Sequence, residues 1–237
     1  MKREPEMEPE EKRDKLIEKP TLTDVLRLKT AGIIDPIVTF LAKYNISPDV
    51  LTVGGVLAHF FLAYLVSLSE WFWAGLAMIL LAPLDALDGS LARKMGRKQG
   101  GFGAYLDSTL DRIAEIILFG GFIYHYVQIH DSIMLGISYM AISGSLMVSY
   151  SRGKAESLGM QAKVGIGSRV ERYVVVIIFL LIGYPSWGIV VLTVITWVTV
   201  GQRMYHVWYQ YYHLANNEKV EQAVEDKEEE VAENLSL

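Results

Sequence analysis

The sequence predicts an all-α membrane protein: six transmembrane helices preceded by a cytoplasmic interfacial amphipathic helix. Three observations carry this expectation. Charge sits at the ends, with eight Lys/Arg and eight Asp/Glu in residues 1–30, and two and eight in residues 213–237. The 182 residues between them hold only twelve basic and eleven acidic side chains, which leaves long stretches apolar enough for lipid. Six apolar runs fall in that middle region, most of them near the ~20 residues that a bilayer crossing needs. A soluble enzyme with polar surfaces all round is excluded. The net charge of −5 comes from the acidic tail rather than from a binding surface, so no nucleic-acid partner is expected. With no cysteine, disulfide frameworks, thiolate metal sites and cysteine nucleophiles are excluded too.

The elements follow in order. Residues 1–20 form a charged N-terminal extension without apolar periodicity, too charged for a signal peptide. Residues 21–46 interleave Leu26, Leu28, Ile33, Ile34, Ile37, Val38, Phe40 and Leu41 with polar positions, the pattern of a helix lying in the interface. Ser47 and Pro48 then read as N-cap and first helical position. The six-helix domain covers 47–212, with spans near 49–68, 71–93, 105–127, 132–152, 171–184 and 186–209. In lipid every backbone polar group must be satisfied internally, so these spans are helices. Residues 213–237 form an acidic tail, expected as a solvated or coiled appendage.

Loop charge sets the orientation. The connections at 69–70, 128–131 and 185 contain no Lys or Arg. The opposite side carries Lys94, Arg97, Lys98, Arg152, Lys154, Lys163, Arg169, Arg172 and Arg203. The positive-inside rule makes that side cytoplasmic, together with both termini, in a multi-pass protein of the cell membrane. The histidines, including His59 and His125, show no ligand spacing. Gly120, Gly121 and the Gly144/Ser145 region read as helix-packing contacts.

The second and third spans hold residues that a membrane helix should avoid. Asp85 and Asp88 lie near the end of one; Asp107 and Asp111, with Arg112 and Glu115, lie at the start of the next. The i,i+3 and i,i+4 spacings put each pair on one helix face. A carboxylate costs ~2.5–3.5 kcal/mol at a span's centre, so four gathered at one boundary call for cations. Oxygen-only ligands favour hard ions, Mg²⁺ before Ca²⁺, with room for two. Salt bridges to Arg93 and Arg112 would explain one such Asp, but not four. Gly89 and Ala92 are small enough to let a substrate approach, and Arg93 suits a diphosphate.

Asp85-x-x-Asp88-Gly89-x-x-Ala92-Arg93, followed by Gly103-x-x-x-Asp107-x-x-x-Asp111, resembles the signature of the CDP-alcohol phosphotransferases, six-helix membrane enzymes of phospholipid synthesis. The intervening residues 94–102 are one longer than the family's usual spacing. Asp49, Val50, Leu51 and Thr52, after Ser47-Pro48, resemble the family's first-helix start, implying contact with the CDP-lipid. The 149–156 segment, Arg169-Val170-Glu171-Arg172 and Gln202-Arg203 resemble a subgroup that makes phosphatidylinositol phosphate or archaetidylinositol phosphate.

What the resemblance implies is specific. Asp85, Asp88, Asp107 and Asp111 would ligate Mg²⁺, with Mn²⁺ able to substitute and two ions expected; Asp111 would also serve as general base. Gly89, Ala92 and Arg93 would receive the CDP-lipid donor. Arg152, Lys154, Arg169 and Arg172 would hold the phosphate of an inositol phosphate acceptor, with CMP released. A homodimer is implied as well. On spacing alone, that basic cluster is equally explained by positive-inside charge and lipid headgroups. Other acceptors or donors remain open: glycerol phosphate, serine, or CDP-inositol giving di-inositol phosphate. Serine has no phosphate for the cluster to bind. A cation transporter or channel is the alternative from another class, disfavoured because the charges gather at one boundary.

Overall fold

The computed structural model describes residues 32, 35–82, 84–96 and 101–235, with side chains excepted at 85, 86 and from 214 onward. The expected N-terminal extension, half of the interfacial segment and residues 97–100 lie outside the described residues. Among those described, every regular element is a helix. They are α1 (35–43), α2 (Pro48–Ser67), α3 (Trp71–Leu81), α4 (Leu84–Lys94), α5 (Gly101–Gln128), α6 (Ser132–Ser157), α7 (Arg169–Leu181) and α8 (Pro185–Leu235).

Local chemistry explains the boundaries. Asn45 turns the chain after α1 at φ 52°. Ser47 is extended (φ −68°, ψ 134°) with Pro48 opening α2, as expected from the sequence. The Asp131 carboxylate accepts the Met134 N–H at 3.0 Å and caps α6. At α7 the Ser168 N–H donates to Glu171 Oε2 at 2.6 Å, so the third helical residue reaches back to the cap. Gly183, at φ +77°, follows the end of α7.

The run expected as one helix over 71–93 is two helices, α3 and α4. Pro83 falls between them; it has no N–H, and its ring excludes a helical bond to the carbonyl four residues earlier. Among the described residues, three stretches are long and apolar enough to cross a membrane: Pro48–Ser67, Ser132–Ser157 and Pro185–His213. Helices α3 and α7 are shorter, at 11 and 13 residues. Helix α5 has 28 residues, with Asp107, Asp111, Arg112 and Glu115 in its first half. Only 17% of the apolar window in α2 is buried inside the protein, and Phe60, Phe61 and Tyr64 point outward. That outer surface is matched to lipid rather than water, and the chain is a membrane protein. Helix α8 runs 51 residues, about 76 Å at ~1.5 Å per residue, and takes the acidic tail into helix as far as Leu235.

Two glycines set the closest helix approaches. A Cβ on Gly121 would stand 2.6 Å from the Ala63 carbonyl oxygen, so α5 lies directly on α2. A Cβ on Gly144 would meet the side chains of Thr196 and Trp197, which brings α6 onto α8. Leu62, Met78, Phe122, Leu180 and Leu192 fill the space between helices. Cross-bonds sort the two ends of the bundle. Ser69 with His125 (3.1 Å) and Tyr126 with Ser186 (2.9 Å) mark one end. Thr52 with Asp88 and Arg169 with Asp111 mark the other.

Candidate active site

Helix α1 builds one wall. Val38 is buried against Leu87 and Leu91 of α4, with Leu51 of α2 packed beside them. Lys94 Nζ donates to Thr39 Oγ1 at 2.5 Å, tying the end of α4 to α1. Asp88, on the adjacent face of α4, turns to α2. There the Thr52 hydroxyl donates to Asp88 Oδ2 at 2.9 Å, so the first-helix motif meets the acidic signature. Ser47 Oγ donates to Asp49 Oδ2 at 3.1 Å, while Val50 faces outward. Among the described residues, a Cβ at Gly89 would meet the Arg93 guanidinium at 3.6 Å, and Arg93 Nη2 donates to Ser90 Oγ at 2.9 Å. Gly89 and Ala92 are half-buried and Arg93 is exposed.

On α5 the acids have taken cationic partners from α7. Arg169 Nη1 stands 2.6 Å from Asp111 Oδ2, and Arg112 Nη1 stands 3.3 Å from the same oxygen. One turn deeper, Arg172 Nη2 is 2.5 Å from Glu115 Oε1. The Ser145 hydroxyl donates to Glu115 Oε2 at 2.9 Å, and Arg172 Nη1 donates to the Gly167 carbonyl at 2.8 Å. Exposure separates the two pairs: 24% and 13% for Arg169 and Asp111, 4% for each side chain of the inner pair. Arg152 bonds to Glu156 at 2.8 Å on the exposed end of α6, and Lys154 is exposed beside it. Arg172 is thus not at the surface with Arg152 and Lys154.

The segment between α6 and α7 is held from α8. Arg203 donates to the carbonyls of Val164 and Val148, and Gln210 brackets the backbone N–H and carbonyl of Gln161 at 3.1 and 3.0 Å. Sequence reasoning gave no functional role to Glu115, His59 or Tyr173, and read Ser145 only as part of a helix-packing region. A signal for Glu115 existed: it follows Asp111 by four residues as Arg172 follows Arg169 by three, so two matched pairs are spelled on two helices.

Asp88, Asp107 and Asp111 are oxygen donors of the kind a hard divalent cation takes. Among the described side chains, no three His, Asp or Glu are gathered at metal-binding distance; Asp85 is not among those side chains. The signature acids lie on α4 and α5, both of which pack on α2.

Comparison with known proteins follows the same residues. The CDP-alcohol phosphatidyltransferase family matches residues 45–205, which includes the acids and cations of the site but not Val38, Thr39 or Gln210. The archaetidylinositol phosphate synthase of Pyrococcus horikoshii is 36% identical over 70% of this chain and 85% of its own length. The phosphatidylinositol phosphate synthase of Cutibacterium acnes is 33% identical over 73% and 91%. The crystal structure of Mycobacterium tuberculosis phosphatidylinositol phosphate synthase with CDP-DAG bound superposes with a TM-score of 0.69 at 28% identity. The match covers 75% of this chain and 94% of that one. A second structure of that enzyme, in complex with manganese and citrate, superposes with a TM-score of 0.68. Its match covers 74% of this chain and 88% of the other, again at 28% identity. With the signature acids, the first-helix motif and the fold in agreement, the chain belongs to the CDP-alcohol phosphatidyltransferase family and is a phosphotransferase of phospholipid biosynthesis.

Proposed function

We propose that the protein transfers a phosphatidyl or archaetidyl group from a CDP-lipid to inositol phosphate, releasing CMP. The observation that carries this is the 2.6 Å contact between Asp111 and Arg169, which joins the last acid of the signature to the first cation of α7. An acidic site and a phosphate-binding site are thereby made one.

Asp85, Asp88, Asp107 and Asp111 would hold Mg²⁺ or Mn²⁺, two ions at full occupancy. When bound, the metal neutralises the diphosphate and the departing CMP. Thr52 orients the Asp88 carboxylate by donating to its Oδ2. Arg93, exposed at the end of α4, steadies the diphosphate over Gly89 and Ala92. Asp49, Val50 and Leu51 line the approach of the nucleotide at the start of α2.

Arg152, Lys154 and Arg169 hold the acceptor's phosphate, with Arg172 supporting from behind through Glu115. As the phosphate takes Arg169, Asp111 Oδ2 loses that contact while Arg112 stays beside it, and the carboxylate acts as general base. Asp111 then accepts the proton of the attacking inositol hydroxyl. The new oxygen–phosphorus bond forms at the lipid-bearing phosphorus, and the bond to the bridging oxygen breaks, so that CMP carries the electron pair away. The protein acts as a six-span homodimer with both termini and the site in the cytoplasm. That orientation is supported by the basic residues at the site end and their absence at the other.

The test is CMP release in vesicles containing CDP-diacylglycerol or its ether-lipid counterpart, with one acceptor at a time. Inositol phosphate should release CMP faster than glycerol phosphate or serine. Release with serine and none with phosphorylated acceptors would overturn the acceptor assignment.

A further inference from the structure

We propose that His59 and Tyr173 form a positioning device that holds Arg169 in place for the acceptor, an inference that rests on the acceptor role given to Arg169 above. His59 lies inside α2 at 6% exposure, and its ring is committed on both sides. Nδ1 stands 2.7 Å from the Gly55 carbonyl oxygen, and Nε2 stands 2.9 Å from the Tyr173 hydroxyl. A carbonyl oxygen only accepts, so Nδ1 carries the proton. In the neutral ring Nε2 is then an acceptor, and the Tyr173 O–H must donate to it. The hydrogen-bond pattern therefore fixes the direction of the phenol.

That direction matters because of what lies on the ring. The Arg169 guanidinium carbon sits 5.3 Å from the centroid of Tyr173, within cation–π range. Arg169 reaches Asp111 from this seat at 2.6 Å. The route runs from α2 through the α7 phenol to the cation and then to the acid on α5. A residue i+4 from Arg169 on the same helix face is placed to brace it, and an aromatic face does so without competing for its N–H donors. Arg169 keeps its fork for a carboxylate or a phosphate. Neither His59 nor Tyr173 touches the reacting atoms; they act through Arg169.

The experiment measures acceptor and CDP-lipid KM, kcat and thermal unfolding for the purified full chain. Tyr173→Leu removes the seat, and cation–π contacts predict a rise in acceptor KM of roughly 2- to 30-fold. The CDP-lipid KM should stay within about twofold, since none of these residues faces the donor. Tyr173→Phe keeps the ring but loses the bond to His59, so its acceptor KM should fall between wild type and Tyr173→Leu. A value equal to wild type would remove His59 from the device, and the variant keeps the test open if the Leu variant does not fold. The closing arm repeats Tyr173→Leu in an Arg169→Gln background, where it should add no further change in acceptor KM. If Arg169→Gln leaves acceptor KM unchanged, the acceptor assignment of Arg169 fails. If Arg169→Gln raises it, but Tyr173→Leu has the same effect with and without Arg169, or lowers only thermal stability, the positioning role fails alone.

Discussion

Glu115 and Arg172 offer the most quantitative test of how this site is supported. Each side chain is 4% exposed, the two stand 2.5 Å apart, and Ser145 and Gly167 bond to the pair from either side. Glu115→Ala leaves a guanidinium charge in the interior with the Gly167 carbonyl as its remaining described partner. Breaking one half of a buried pair costs ~3–5 kcal/mol, because the other charge stays desolvated. For a chain of this size, ~2–4 °C of melting temperature per kcal/mol turns that into a drop of about 6–20 °C. The assay is tryptophan fluorescence during heating at one fixed rate in one detergent. The control removes both charges. Glu115→Leu with Arg172→Met replaces the pair by apolar side chains, and such replacements are often neutral or stabilising. The double variant should therefore melt well above the single one. A single variant within about 2 °C of wild type, under one kcal/mol on the same scale, refutes the argument. A double variant as unstable as the single one refutes it too. The double variant also asks what Arg172 does: a stable protein whose acceptor KM rises tenfold, ~1.4 kcal/mol, would put Arg172 on the phosphate itself.

Other perturbations have simpler readouts. Asp111→Asn should lower turnover by ~10²–10⁴-fold, the usual contribution of a general base, while nucleotide binding persists; retention of a tenth of wild-type kcat excludes Asp111 as that base. EDTA should silence the enzyme and Mg²⁺ or Mn²⁺ restore it, and full turnover after exhaustive chelation contradicts a metal-bound diphosphate. Gly121→Leu should destabilise by at least ~1–3 kcal/mol, since even its Cβ would stand 2.6 Å from Ala63 O. Gly120→Ala, with open space at that position and better helix propensity than Gly, should melt at or above wild type; equal losses in both would show that the α2–α5 contact is not the cause.

Much of this was legible in the sequence because its causes are local. Hydropathy announces helices, Ser47-Pro48 announces the start of α2, and paired aspartates at i+3 and i+4 announce two charged faces. The break between α3 and α4 was also written, in Pro83, but the apolar run around it reads as one crossing when hydropathy alone is weighed. What could not be read is which charges are spent on each other. Arg169 and Arg172 look alike in sequence, and so do Asp111 and Glu115 as acids on one helix. Their pairing depends on how α5 and α7 are aligned, which is a property of packing. His59 is the extreme case: its partner Tyr173 is 114 residues away, and no spacing rule links them.

The alignment of α5 with α7 has a consequence for chemistry. Both helices begin at the same end of the bundle, so Asp111 meets Arg169 and the next turn of each, Glu115 and Arg172, meets one turn deeper. A turn is ~5.4 Å, enough to change the dielectric surroundings of two otherwise similar pairs. At the outer level, 13–24% exposure lets water stabilise either partner during an exchange, so an incoming phosphate can displace Asp111 from Arg169 at small cost. At the inner level, 4% exposure removes that compensation, and separating Glu115 from Arg172 would strand two buried charges. The outer pair is therefore exchangeable and the inner pair fixed. On the proposed acceptor role of Arg169, rigid support one turn below a labile ion pair would let the acceptor phosphate borrow the cation without disturbing the helix that presents it.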